Sequence, residues 1–284
     1  MDRRTFLKMG LKLGLLTSAG FGIFEMAKLL LNEQEYNAEQ DYFKIFKISS
    51  NESRCINDNG NSVISGKDTD VLQTMFGRDN TFIHVRSGKY IIEKSLRPAN
   101  NVSFIGDGMF HTIITSLLGV NLGPGGLITN YSKEKNKQKN NPVKNVTISD
   151  IQLDGSNFPS DSYSKGIYFA FCDRLKLRNI YCHHTTATGI GPDFLTDSEI
   201  TGCIADHCGT RRGKNEGSNG IGIGTGRSFD IEYEHSQPLM ISDCVCSNNY
   251  NHGIVIEGQS NKYEGYYTNV INCHWSSLKT TIRP

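Results

Sequence analysis

Two short hydrophobic phrases alternate along the second half of the chain. The first has the form apolar-x-polar-apolar-x-apolar and begins at positions 148, 177, 200 and 241, with the start of a fifth copy at 270. The second opens with Gly-Ile and begins at positions 166, 189, 220 and 253. Apolar residues alternate with polar ones in both, which is the period of a half-buried strand. Recurring short strands predict a solenoid, in which each repeat buries its apolar face against its neighbours.

The repeat is too short for strand–helix–strand units. Parallel strands are normally joined by about a dozen residues or more, usually helical, and residues 145–275 show no helical periodicity. A sandwich of hairpins would need Asn-Gly or Asp-Gly turns at short regular intervals, and only the pair Asn219-Gly220 falls within the repeat. We therefore predict an all-β chain that forms a single-stranded parallel β-helix.

The composition and net charge limit the size of the core and the classes of partner that the chain is expected to bind. The chain has 284 residues, of which 37% are hydrophobic, enough for the core of one elongated domain. Its formal net charge is +1, which gives no electrostatic attraction to nucleic acid or to an anionic membrane.

The N-terminus has the features of an export signal. Arg3-Arg4 followed by Phe6-Leu7-Lys8 resembles a twin-arginine signal, and the apolar run at 13–24 has the length of a signal's hydrophobic region but is too short to span a bilayer. This implies an exported protein, in the periplasm, outside the cell or at its surface. We expect residues 1–40 to be signal and spacer and 41–284 to be the β-helix, which lacks an evident C-terminal cap and is expected to be truncated, unusually short or completed by a partner. A retained membrane anchor and a chance arginine pair stay open as alternatives.

Cysteines fall at repeat positions otherwise held by Ile or Leu. The alignment places Cys203, Cys244 and Cys273 in one inward column and Cys182 and Cys246 in another. A cysteine in such a column behaves as a small buried hydrophobic residue, so we predict free, stacked thiols. Disulfides are one alternative. A metal site is another; it would include His183, His184 or His207, although no Cys-x-x-Cys pair supports it.

Two earlier segments carry a family resemblance. Residues 81–90 read TFIHVRSGKY and residues 101–114 read NVSFIGDGMFHTII. They resemble the opening coils of the pectin-lyase-like superfamily, and the resemblance extends over residues 60–275. It implies a right-handed parallel β-helix and a relation to polygalacturonases or pectate lyases.

The catalytic motifs of the nearest families are largely missing. Polygalacturonases have an Asp-Asp pair where this chain has Ser218-Asn219, and only His252 corresponds to their Gly-His-Gly turn. Mannuronan epimerases, which this stretch also resembles, have an Asp-Pro-His strand near Asp193, but Phe194 stands in place of the histidine. Neither chemistry is carried over on these residues.

The Gly-Ile phrases predict an outward column that contains two carboxylates. Because side chains alternate across a strand, the fourth residue after each glycine faces outward when the isoleucine faces inward. That position holds Asp193, Gly224 and Glu257 in successive copies. At about 4.8 Å per coil the acids start about 9.6 Å apart, and side-chain rotation brings them within the approximately 6.5–9.5 Å of inverting glycosidases. A merely solvated face stays open as the alternative.

These columns define the predicted site. The catalytic candidates are Asp193, Glu257 and His252, and the substrate-binding candidates are Tyr168, Gly222, Gly224, Arg211 and Arg212. The glycines would form a shallow floor, the tyrosine an aromatic face, and the arginines a grip on uronate carboxylates. We predict an exported protein that cleaves an acidic or complex polysaccharide by hydrolysis or elimination. A non-catalytic surface or phage-derived glycan-binding module is the alternative. No cofactor is expected, and Ca²⁺ has no motif to support it.

Overall fold

The computed structural model describes residues 40–132, 142–209, 218–225, 239–258 and 268–275. Within these residues nearly all regular structure is β. The strands are β1 (Asp41–Lys47), β2 (Glu52–Asn57), β3 (Ser62–Lys67), β4 (Thr81–Val85), β5 (Gly88–Ile92), β6 (Val102–Gly106), β7 (Thr112–Ser116), β8 (Ile128–Thr129), β9 (Val143–Asp154), β10 (Ile167–Tyr168), β11 (Ala170–His183), β12 (Asp193–Thr196), β13 (Ser198–Thr201), β14 (Ile204–Asp206), β15 (Ile221–Thr225), β16 (Leu239–Ser242), β17 (Val245–Ser247), β18 (Ile254–Gly258), β19 (Thr268–Ile271) and β20 (His274–Trp275). One helix, α1, spans Asp68–Phe76, and a 3₁₀ turn spans Gly123–Gly125.

The chain coils through three parallel stacks of strands, called columns A, B and C, in that order in each turn. Column A contains β1, β4, β6, the start of β9, the middle of β11, β13, β16 and β19. Column B contains β5, β7, the ends of β9 and β11, β14, β17 and β20. Column C contains β8, β10, β12, β15 and β18. The fold is a right-handed parallel β-helix, as predicted.

Inward side chains of successive coils lie directly on one another. Column A stacks Ile83, Phe104, Ile148, Leu177, Ile200, Ile241 and Val270. Column B stacks Tyr90, Ile114, Leu153, Cys182, Ala205, Cys246 and Trp275. Column C stacks Ile128, Ile167, Ile190, Ile221 and Ile254. The registers read from both repeated phrases are therefore confirmed, and all of these side chains except Val270 and Trp275, in the last coil, belong to the hydrophobic core.

A single residue makes the corner between columns A and B in each of the last five coils. The corner residues are Asp150, Asn179, Gly202, Asp243 and Asn272, all with φ between 49° and 64°. Aspartate and asparagine tolerate this left-handed conformation better than other side-chain-bearing residues. Their side chains also bond between coils, since Asn179 donates to Asp150 at 3.2 Å and Asn272 donates to Asp243 at 2.6 Å.

The N-terminal end of the solenoid is covered by elements that the repeat does not predict. Strands β1, β2 and β3 form an antiparallel sheet, and β1 also pairs in parallel with β4. Helix α1 buries its apolar side, and the ring of Phe76 lies 4.9 Å from that of Phe104 in the core. This helix and hairpin close the first coil against solvent.

The eight thiols are unpaired, and seven of them are buried. Four of them bond to the preceding coil. Cys203, Cys244 and Cys273 donate to the main-chain carbonyls of Leu177, Ile200 and Ile241, and Cys208 donates to that of Cys182. The predicted stacking of Cys182 with Cys246 across Ala205 is confirmed by the register.

The twin-arginine segment and the insert with Arg211 and Arg212 lie outside the described residues. Over the ranges that the structure does describe, no helix has the length and apolar character needed to cross a membrane.

Candidate functional site

The outer face of column C, called face C, carries the predicted carboxylates. Asp193 is in register with Gly224, and Gly224 is in register with Glu257. The two acids therefore lie two coils apart with a glycine between them, as the alignment predicts. Both are half-buried and neither belongs to the hydrophobic core. At about 4.8 Å per coil their main chains are about 9.6 Å apart.

The Asp193 carboxylate is held in place by its neighbours. The main-chain N–H of Gly224 donates to Oδ1 at 3.0 Å, and the Tyr168 hydroxyl hydrogen-bonds to the same carboxylate. Because Gly224 belongs to the middle coil, the first of these bonds draws the carboxylate toward Glu257. Gly224, predicted as part of the floor, thus donates a hydrogen bond from its main chain, and its lack of a side chain leaves space between the two acids.

Lys165 completes the site and was not predicted from the sequence. Its Nζ lies 3.9 Å from the centre of the Tyr168 ring, a cation–π contact. Burial lowers the pKa of Lys165, and the charges of Asp193 and Glu257 oppose that change. A cation thus lies against an aromatic ring and within the field of two carboxylates.

Two glycines make room for this lysine. A methyl group at Gly191 would lie 3.1 Å from the Lys165 Nζ. The absence of a side chain at Gly191 therefore leaves the space on face C that the ammonium occupies. At Gly126, where φ is 70°, an added Cβ would meet the Lys165 carbonyl oxygen at 1.6 Å. The main chain next to β8 therefore packs directly on the lysine's own main chain, which fixes where its side chain starts.

A signal for Lys165 does exist in the repeat. Each Gly-Ile phrase is preceded by a polar residue, and these residues are Lys165, Thr188, Asn219 and His252. Extending the alignment by one residue would have placed the lysine at the edge of the predicted site.

Tyr168 is a hydrogen-bond donor in this site. Burial raises its pKa, and the charge of Asp193 and the hydrogen bond to that carboxylate raise it further. Its ring also contacts Tyr131, with ring centres 5.7 Å apart. The predicted aromatic face is thus a pair of tyrosines on neighbouring coils.

The remaining candidates are arranged differently. Gly222 is half-buried on face C, one coil from Gly191. His252 lies just before β18, five residues from Glu257, which is roughly 16 Å along an extended strand. The structure therefore brings together Tyr168, Asp193 and Glu257 and leaves the histidine at the other end of the strand.

A second polar group lies on the outside of column B. This histidine cluster consists of Asp154, His183, His184, Asp206 and His207. Asp206 accepts hydrogen bonds from His207 and Ser247 at 2.7 Å and from Asn248 at 3.0 Å. The rings of His184 and His207 stack at 5.1 Å.

The charged groups of the histidine cluster interact with one another and with neighbouring polar side chains. Burial alone would raise the pKa of Asp206, but the bonds from Ser247, His207 and Asn248 outweigh it and hold that pKa below its usual value. Burial lowers the pKa of His183 despite the nearby Asp154. In the described ranges, no group of three or more His, Cys, Asp or Glu side chains has an arrangement that would hold a metal ion.

Comparisons with known proteins identify the fold. No protein-family model matches the sequence, and no curated protein matches it significantly. The A-module of a mannuronan C-5 epimerase from Azotobacter vinelandii matches with a TM-score of 0.50 and 16% identity, over 73% of this chain and 50% of that one. A family 28 exopolygalacturonase from Yersinia enterocolitica matches with a TM-score of 0.50 and 12% identity, over 79% of this chain and 53% of that one. The chain spans about half the length of these two structures. Both are pectin-lyase-like β-helix proteins, and this chain shares their fold.

Proposed function

We propose that the protein cleaves an acidic polysaccharide by hydrolysis on face C. The observation that carries the proposal is the position of Lys165, whose ammonium lies on the Tyr168 ring and in the field of Asp193 and Glu257. An acid pair without a cation would repel an anionic glycan. The lysine offsets that repulsion and supplies a charged hydrogen bond to a uronate carboxylate.

The two acids take different roles in this proposal. Asp193 accepts hydrogen bonds from Gly224 and Tyr168, and such donors stabilise a carboxylate. That suits the base that removes a proton from the attacking water. Glu257, two coils away, is then the acid that protonates the leaving glycosidic oxygen. A separation of about 6.5–9.5 Å leaves room for the water and leads to inversion at the anomeric carbon.

Elimination is a second candidate, favoured by the lowered pKa of Lys165. A neutral amine is able to remove the proton next to the uronate carboxyl. The electron pair then forms the ring double bond, the glycosidic bond breaks, and the Tyr168 hydroxyl protonates the departing oxygen.

Binding of a glycan on face C without cleavage is the third candidate and needs only the lysine and the tyrosines.

One experiment separates the three. Purified protein is incubated with a panel of uronate-containing and neutral polysaccharides, and reducing ends and the ultraviolet absorbance of unsaturated uronates are followed together. New reducing ends without absorbance identify hydrolysis, and both signals together identify elimination. Retention on a uronate polysaccharide with neither signal identifies a binding module. No interaction with any uronate polymer would contradict the proposal.

Export is part of the same proposal, because a polymeric acidic glycan is a substrate that is located outside the cytoplasm. The support is the Arg3-Arg4 pair ahead of a short apolar run. Replacing both residues with lysine should retain the protein in the cytoplasm, as measured by fractionation. Unchanged secretion would show that the arginine pair is fortuitous.

A further inference from the structure

A cavity of about 630 Å³ opens beside the site, toward the N-terminal end of the solenoid. Its volume lies within the range of about 300–1,000 Å³ typical of small-molecule pockets. The Gly-Pro-Gly turn at 123–125 forms part of its wall, and its polar lining residues are Ser95, Arg97, Asn121, Thr129, Tyr131 and Ser132. Of these residues only Tyr131 has been described above, as the neighbour of Tyr168 on face C.

The cavity continues the line of face C. Thr129 is in register with Tyr168, and the Thr129 hydroxyl donates to the Tyr168 carbonyl at 2.8 Å. Tyr131, in the cavity wall, contacts the Tyr168 ring. Leu96, next to Arg97, bridges to Ile128 in the following coil. Arg97 therefore lies three coils before Asp193, about 14 Å along the axis.

Charge indicates what the cavity would bind. Arg97 is exposed, and its Nη1 donates to the Tyr131 carbonyl at 2.5 Å, which orients the guanidinium at the cavity wall. None of the described residues that line the cavity is acidic. Hydroxyl groups, one aromatic ring and a guanidinium fit a sugar that carries a carboxylate, because arginine binds carboxylates with two donors at once.

We propose that this cavity is a distal subsite for a uronate unit of the same glycan chain that occupies face C, with Arg97 pairing with the carboxylate. The inference rests on the proposed function and adds to it the direction in which the glycan lies and the chain length needed to reach both sites. The glycan runs along the solenoid axis from Arg97, over Tyr131 and Tyr168, to Lys165 and the acids. Chains of only one or two sugars that occupy Lys165 do not reach Arg97.

The test measures affinity by calorimetry for oligogalacturonates and oligomannuronates from dimer to octamer, together with carboxyl-reduced, neutral counterparts. In Arg97→Gln we expect the affinity for the hexamer to fall about tenfold, the usual worth of a charged hydrogen bond, and the gain in affinity from dimer to hexamer to shrink. Arg54→Gln is the matched control, because Arg54 is exposed on β2 and does not line the cavity. Ser95→Trp, which occupies part of the cavity without changing its charge, should reproduce the loss.

The possible failures are distinguishable. If the wild-type protein binds acidic oligomers but Arg97→Gln and Arg54→Gln bind the hexamer equally well, the subsite is wrong and the proposed function stands. An equal loss of affinity for acidic and neutral hexamers would contradict the role of Arg97 in binding the carboxylate. If the wild-type protein binds no acidic oligomer of any length, the proposed function fails and the subsite fails with it.

Discussion

Face C and the histidine cluster are two polar surfaces of one solenoid, built on adjacent columns and containing similar groups. In the histidine cluster the residues in register with Asp206 are His183 and Ser247, both polar, and Ser247 and its neighbour Asn248 donate hydrogen bonds to the carboxylate. On face C the residue in register with both Asp193 and Glu257 is a glycine. The first arrangement closes a surface with internal hydrogen bonds, and the second keeps space over two carboxylates.

The difference teaches how to distinguish a structural carboxylate from a candidate catalytic one in a repeat. Both kinds occur in outward columns, and both are partly buried. What separates them is the residue in the next coil, because a polar side chain there bonds to the acid and fills the space beside it, whereas a glycine leaves that space open. The following predictions test that distinction.

The largest expected effect is on turnover. Asp193→Asn should lower the rate on a verified polysaccharide by a factor of about 10² to 10⁴, the usual worth of a positioned acid or base. Asp206→Asn is the matched change in the histidine cluster and should leave the rate within about twofold. Equal rates in the two variants would remove the functional distinction between the surfaces.

Next in size is the binding of acidic oligosaccharides by Lys165. Lys165→Met should weaken it roughly ten- to hundredfold, because a charged hydrogen bond is lost. In the wild type, affinity should fall as pH rises through the lowered pKa of this lysine, since only the ammonium attracts a carboxylate. Lys165→Arg should keep affinity into alkaline solution, because arginine stays charged there. Wild-type binding that does not change with pH would contradict this account.

The histidine cluster should instead affect stability. Asp206→Asn is expected to lower the free energy of unfolding by about 1–2 kcal/mol at neutral pH, through weaker hydrogen bonds. Because the folded-state pKa of Asp206 is lowered, its contribution is present above the unfolded value of about 3.9 and is lost as pH falls through the folded value. Urea unfolding should therefore show the difference between wild type and variant shrinking in strong acid. A constant difference at every pH would contradict the charge-based explanation.

The smallest expected effect distinguishes the glycines of the two surfaces. Gly191→Ala on face C meets the flexible end of Lys165, so stability should change by no more than about 0.5 kcal/mol while affinity falls a few-fold. Gly155→Ala, beside the histidine cluster, meets main-chain atoms of His184 and Thr185 within 2.9 Å and should destabilise the fold more. Thermal unfolding of both variants provides the measurement. A larger loss of stability in Gly191→Ala would reverse the assignment.

The strands and side-chain directions of the repeated phrases could be predicted from the sequence, whereas elements that occur only once could not. Ile200 and Glu257 could be placed because each belongs to a column whose other members have the same inward or outward pattern. Helix α1 and the hairpin before it occur once, so no alignment reveals them. Lys165 was missed for a different reason: its Cα lies at the margin of the strand, and only its long side chain reaches the site. Side-chain reach across coils is a three-dimensional property that strand alternation does not contain.

The one-residue corner between columns A and B has a consequence for how such a chain changes its length. Successive coils differ in length, yet this corner keeps one residue in each of the last five coils, from Asp150 to Asn272. Among these five coils, the differences in length therefore fall in the connections that enter and leave column C. Those connections join the strands that carry face C, so a change in their length alters the edges of that face without changing the stacked core. Changes at the proposed ligand-binding face and retention of the scaffold are thereby separated along the chain.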